Sequence, residues 1–191
     1  MRAARLGAVL DLPLTVAVIQ RNNVVGAVVG QLADALERRR IADCRLVGRQ
    51  RLAQFVEIGW RSVLGRMSRE KRPDLAIAIA KRVGLPLKMA AKVDTADRAY
   101  FEAEIRPLLD HPLVEFVGEI DEAERARFLG GALGLLFPID WPEPFGLVMI
   151  EAMACGTPIV AWPCGSVPEV IDEGVTGFLV TSIEAAARAV E

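Results

Sequence analysis

From residue 60 onward, short apolar runs alternate with stretches in which apolar side chains recur every three or four positions. The runs at 61–65, 85–91, 114–117, 133–139, 157–161 and 178–180 have the length of buried strands. Between them, 73–83 reads as an apolar helix behind a charged loop, and 95–109 as a helix carrying Phe101, Ile105 and Leu108 at i, i+4 and i+7. Residues 121–130 read as a helix that turns Ala126 and Leu129 inward. Another helix opens at Pro144, which suits a first turn, and stops at Gly156. A short helical turn follows at 167–171, and a last helix begins near Ile183. This strand–helix repeat predicts an α/β fold, a parallel sheet with helices on both faces. Ligands of such sheets bind beyond the carboxyl ends of the strands. Arg66 and Glu143 fall there.

The first 59 residues are less regular. A strand at 14–19, an amphipathic helix at 26–39 through Val29, Leu32 and Leu36, and a strand at 44–47 are the only elements the pattern supports. The chain is therefore divided into an atypical, incomplete segment, 1–59, and an α/β domain, 60–191.

Candidate chemistry concentrates in EPFGLVMIEAMACGTPIVA, residues 143–161. Glu151 is the only charged side chain from Leu147 to Cys155. A carboxylate in so apolar a segment is costly unless something pairs with it, and ligand hydroxyls would do so. The start of the same helix offers unpaired N–H groups and a partial positive charge, a seat for phosphate. With the helix opening at Pro144, a rise of ~1.5 Å per residue puts Glu151 about two turns below that seat.

LGRMSREKRPD, residues 64–74, is the second candidate. A strand ending in Gly65 lets a ligand approach the backbone, and Arg66 and Lys71 follow in the loop. Guanidinium matches phosphate oxygens, and lysine adds a mobile point charge. Alone, the segment fits a solvated basic loop balanced by Glu70 and Asp74 equally well. Beside the glutamate-bearing helix, ligand binding is the favoured reading.

Composition narrows the classes. A net charge of -2 argues against a nucleic-acid-binding face. Cys44, Cys155 and Cys164 form no CxxC pair, which points to a reducing compartment and a cytoplasmic protein. The amino-terminal run imitates a signal peptide, but Asp11 and Pro13 interrupt it, and no stretch reaches the ~20 apolar residues of a membrane span. A membrane-peripheral location is compatible with this. No strand is followed by GxGxxG, and GxxxxGK[ST] is absent, which disfavours a dehydrogenase and a phosphotransferase.

Other features have structural explanations. Ser166 and Glu169 fit an S-x-x-E capping box, and Gly174 and Gly177 fit turns. His111, before Pro112, reads as a surface loop residue. Cys155 and Cys164 read as small packing residues, and Trp141 and Trp162 fit core packing at least as well as the border of a sugar site.

GRxxxxK at 65–71, ExFGxxxxE at 143–151 with its ACGTPIVA continuation, and GSVPEVI…GVTGFLV at 165–180 stand in the order found in one enzyme family. Over residues 62–191 the chain resembles the carboxyl-terminal, donor-binding domain of the retaining GT-B glycosyltransferases of the group 1, or family 4, class. The resemblance implies a Rossmann-like domain that binds a nucleotide-sugar such as a UDP- or GDP-hexose. Arg66 and Lys71 would hold its diphosphate, beside Gly65. Glu143 would lie near the transferred sugar, with backbone contacts from Phe145, Gly146 and Leu147. Glu151 would bond the ribose hydroxyls, and Val117 and Gly118 would border the base. Similar enzymes retain anomeric configuration and generally need no metal or other cofactor, and no DxD sequence is present here.

Two departures qualify the resemblance. Position 72, commonly glycine, is arginine, and Pro73 and Asp74 follow. The leading 61 residues are also fewer than the ~100–150 of a typical domain, so no full acceptor-binding domain is expected in them. Donor binding is thus expected ahead of turnover. Two other readings stay open: a truncated nucleotide-sugar-binding module without transfer, and a GT-B sugar-nucleotide epimerase.

Overall fold

The computed structural model describes residues 59–190. The elements read at 14–19, 26–39 and 44–47, together with Cys44, lie outside the described residues. From Arg61 the chain follows the strand–helix alternation. It forms β1 (Arg61–Arg66), α1 (Pro73–Val83) and β2 (Leu87–Lys92), then a composite helical segment containing the short turn α2 (Arg98–Tyr100). Next come β3 (Val114–Gly118), α3 (Glu122–Gly131), β4 (Gly134–Phe137) and α4 (Leu147–Ala154). The chain then forms β5 (Ile159–Ala161), α5 (Val167–Val170), β6 (Gly177–Leu179) and α6 (Ile183–Val190).

The six strands form one parallel sheet in the order β3-β2-β1-β4-β5-β6. This is the Rossmann-like arrangement expected from the repeat. Alternate strand residues face opposite sides. Leu135, Phe137, Ile159 and Ala161 enter one core with Leu129 of α3, Met149 and Met153 of α4 and Val167 of α5. Leu136 and Val160 enter the other, with Ile77 and Ile79 of α1, Phe101, Ile105 and Ala186 of α6. One handedness of crossover puts α1 on one face while the chain moves toward β3. It puts α3, α4 and α5 on the other after the chain reverses.

Most boundaries agree with the sequence to within two residues, and four readings change. The segment read as one helix, 95–109, changes pitch: 3-10 at Thr95–Asp97, α at Arg98–Tyr100, π at Phe101–Ile105 and 3-10 at Arg106–Leu108. Pro107 has no N–H to donate, so an α-helical ladder cannot run through it. The strand read at 133–139 is confined to Gly134–Phe137. Pro144 is not in a first helical turn, because α4 starts at Leu147 behind Gly146, whose φ is 71°. Gly156, at φ 72°, does terminate α4.

The fourth change concerns Gly177, which is a strand residue opposite Ile159 and not a turn. A Cβ there would fall well inside 3.0 Å of the Ile159 carbonyl oxygen. Glycine is what allows β6 to lie against β5. The turn is made upstream, by Gly174 at φ 74° and by buried Thr176, whose hydroxyl accepts from the Asp172 N–H at 2.9 Å.

Candidate functional site

The strand order reverses direction between β1 and β4, so the loops leaving their carboxyl ends part toward opposite faces of the sheet. Such a reversal leaves a crevice. The two loops meet across it: the Asp140 N–H donates to the Glu70 carbonyl oxygen at 2.8 Å. Beside that bond, the Lys71 ammonium pairs with the Glu143 carboxylate. Both are mostly buried, with side chains 24% and 11% exposed. Trp141 donates its indole N–H to Glu143 Oε2 at 3.0 Å, and the Gly146 N–H donates to Oε1 at 3.3 Å. Lys71 Nζ also lies 5.6 Å from the Phe137 ring centroid and 5.5 Å from that of Trp141, within reach of a cation–π attraction. Burial alone pushes the Glu143 carboxyl up. The bonds from Lys71 and Trp141, the Lys71 charge and the Gly146 N–H outweigh it, and the group titrates below the ordinary glutamate range. Glu143 is therefore a carboxylate near neutral pH, and Lys71 sits against it as a desolvated cation.

Arg66 leaves the end of β1 on the β2 side. Its guanidinium pairs with Glu70, and its Nε lies 3.8 Å from Asp97 Oδ2. Its side chain is half exposed. A Cβ on Gly65 would meet nothing within 4 Å, so the backbone before Arg66 faces open space. Arg66 and Lys71 thus share one loop but engage its two sides, and their own carboxylates compete with any anion that binds them.

The arginine at position 72 now has a conformational meaning. Arg72 takes φ 47°, the one positive φ outside glycine among the described residues. An L-residue there costs ~1–2 kcal/mol, whereas glycine has no such penalty. Its guanidinium offsets this locally, donating to Asp74 at 2.8 and 3.0 Å and lying 3.6 Å from Asp140 Oδ2. Arg72→Ala keeps the backbone strain and loses these pairs, while Arg72→Gly loses the pairs and the strain together. We expect the glycine variant to be more stable than the alanine variant by about 1 kcal/mol, checked by urea unfolding of both. Equal stabilities would remove the strain from the account.

Glu151 does not stand alone in its apolar segment. It lies one turn into α4, not two, because the helix starts at Leu147. Its carboxylate pairs with Arg125 Nη1 of α3 at 3.3 Å, and its side chain remains 27% exposed. The first turn of α4 has no side-chain cap and no acidic residue of its own, and the charge that meets its start is the Glu143 carboxylate, through the Gly146 N–H. Val117 and Gly118 end β3 at the same carboxyl edge, Gly118 with φ 78°. Val117, Trp141 and Leu147 are the exposed large hydrophobic residues among those described, and all three lie on this side of the sheet. Phe145 instead packs against the core, which leaves its backbone for any contact.

Trp141 is thereby a site residue by its hydrogen bond, while Trp162 packs in the core. The signal for Trp141 was its place two residues before Glu143, a spacing that packing explains as readily. His111 lies before β3, at the opposite edge, where its Nδ1 accepts from the Leu113 N–H at 3.3 Å. Cys155 and Cys164 pack against the core. Ser166 makes no side-chain cap: its φ of −73° and ψ of −10° are already helical, which is not cap geometry. The capping box is at Asp121 and Glu124, where each side chain accepts from the other's N–H at 2.8 and 3.1 Å.

Residues 62–191 match the family described as glycosyl transferases group 1. The chain belongs to that family. A D-inositol 3-phosphate glycosyltransferase of Mycobacterium marinum is 32% identical over 130 residues, covering 62% of this chain and 26% of the relative. The chain thus spans about a quarter of that curated relative's length. Sucrose-phosphate synthase of Thermosynechococcus elongatus aligns in structure with a TM-score of 0.64 and 30% identity, covering 78% of this chain and 38% of that one. Anabaena HepE, solved with UDP and glucose, aligns with a TM-score of 0.63 at 24% identity, covering 74% of this chain and 40% of that one. At that identity the last comparison speaks for the fold. This group 1 glycosyltransferase chain therefore carries a parallel α/β domain shared with transferases of the same fold. Among its described residues no helix is long and apolar enough to cross a membrane.

Proposed function

We propose that residues 60–191 bind a nucleotide-sugar and serve a hexosyltransferase of the retaining GT-B, family 4 type. The observation that carries this reading is the contact of Lys71 with Glu143 at the strand reversal, because the two come from separate sequence motifs and meet where ligands of such sheets bind. The proposed donor is a nucleotide-sugar such as a UDP- or GDP-hexose, the class to which the UDP and glucose bound by the Anabaena neighbour belong. A cytoplasmic location belongs to the same proposal, supported by cysteines that form no CxxC pair.

Transfer breaks the bond between the anomeric carbon and the diphosphate, and forms one to an acceptor oxygen. The departing nucleoside diphosphate keeps the electron pair, so negative charge grows on its terminal phosphate, which takes up the proton that the acceptor hydroxyl gives up. Lys71, Arg66 and the start of α4 are positioned to meet that charge, and stabilise it more in the transition state than in the ground state. No metal is required in this scheme. Glu143 serves to position the sugar and Lys71, and no covalent intermediate is assigned to it.

A calorimetric panel of UDP-, GDP- and ADP-sugars tests the donor reading, and failure of every member to bind would reject it. Release of free nucleotide only when an acceptor is added marks a transferase; release without one marks an epimerase. Binding without transfer marks a truncated module. For the diphosphate assignment, Arg66→Ala is expected to weaken UDP binding about tenfold, which is ~1.4 kcal/mol, and uridine binding far less. Arg66 is half exposed, so its melting temperature should move little. Equal losses for UDP and uridine would place Arg66 away from the phosphates.

A further inference from the structure

The first residue of the GSVPEVI motif lies against the backbone of the residue that carries the site's carboxylate. Gly165, in the loop between β5 and α5, has a φ of 61°. A Cβ there would fall well inside 3.0 Å of both the backbone nitrogen and the carbonyl oxygen of Glu143, and 2.6 Å from the Pro142 carbonyl carbon. The next residue completes the contact: the Ser166 N–H donates to the Glu143 carbonyl oxygen at 2.8 Å. Glu143 also donates its own N–H to the Trp141 carbonyl at 2.8 Å, so its peptide is held on both sides. Backbone has no rotamer with which to yield, and a methyl group at 165 can be accommodated only by moving the Glu143 segment or its own loop.

We infer that Gly165 is a positioning residue, whose missing side chain lets the β5–α5 loop brace the backbone of Glu143 and so fix the carboxylate against Lys71 and Trp141. A function for the brace in donor binding rests on the donor reading above. The brace itself does not.

The test compares Gly165→Ala with Gly174→Ala in the full chain. Gly174 has a similar φ, 74°, but a Cβ there would meet nothing within 4 Å, so it reports the backbone cost without the collision. The first readout needs no ligand. Carbon NMR of the Glu143 carboxyl should show its titration moving up toward the ordinary glutamate range in Gly165→Ala, and not in Gly174→Ala. The second is the ratio of UDP-glucose to UDP affinity, expected to fall about fivefold in Gly165→Ala alone. If Gly165→Ala does not fold, Ser166→Pro replaces it. Proline matches the φ of −73° at that position and deletes the N–H given to Glu143. An unchanged Glu143 titration in the folded variant overturns the brace. If the unmodified chain binds neither UDP nor UDP-glucose, the donor reading fails, and the carboxyl titration still decides the brace.

Discussion

Lys71→Ala is expected to lose at least about 100-fold in affinity for a nucleoside diphosphate and about 2 kcal/mol of folding stability. The two losses have different origins. Stability falls because Glu143, whose side chain is 11% exposed, keeps its charge and loses its cation. Removing one partner of a fully buried pair costs ~3–5 kcal/mol, and the partial exposure here, with bonds from Trp141 and Gly146 still in place, lowers that figure. Affinity falls because the largely buried Lys71 ammonium at the strand reversal can give a phosphate oxygen a charge-assisted hydrogen bond. A second substitution separates the effects. Lys71→Ala with Glu143→Gln removes both charges, and replacing both partners of a buried pair is often close to neutral. The double variant should therefore regain most of the stability in urea unfolding and none of the UDP affinity in calorimetry. If it regains the affinity as well, Lys71 acts only by supporting Glu143, and the phosphate contact is wrong.

The sheet was legible because its signals are local. Pro73 and Gly84 bound α1 as the helix rules require, and Gly156 does the same for the end of α4. Apolar runs of strand length at 61–65 and 133–139 foretold β1 and β4, though nothing in either run specifies that the two lie side by side. What could not be read is what depends on that adjacency. The pairing of Lys71 with Glu143 joins residues 72 positions apart. The bond of Asp140 to Glu70 and the approach of Gly165 to Glu143 are likewise products of the fold. Glu151 shows the converse. Its isolation within an apolar segment was a sound reason to expect a partner, but Arg125, 26 residues earlier and on another helix, supplies one within the protein. Pro144 misled because proline suits both a first helical turn and the loop before one, and the left-handed turn at Gly146 decided between them.

Glu151→Gln is expected to weaken UDP binding about 30-fold while changing folding stability by less than about 1 kcal/mol. Two readings of Glu151 make opposite forecasts. As a link between α3 and α4, its pair with the half-exposed Arg125 is worth ~1 kcal/mol or less, and the nearly isosteric amide can still accept from Arg125. On that reading neither stability nor affinity changes much. As the acceptor for the ribose hydroxyls, its charge strengthens each bond, and hydrogen bonds to charged groups contribute ~1.5–3 kcal/mol apiece. Neutralising it then costs nucleotide affinity without disturbing the fold. Pyrophosphate, which has no ribose, provides the internal control: its affinity should be the same in Glu151→Gln and the unmodified chain. Arg125→Ala sharpens the comparison, because it removes the helix link and leaves the carboxylate free for a ligand. UDP binding in that variant should hold or tighten. Calorimetry showing unaltered UDP affinity in Glu151→Gln would assign the residue to the α3–α4 contact and leave the ribose without a partner on this helix.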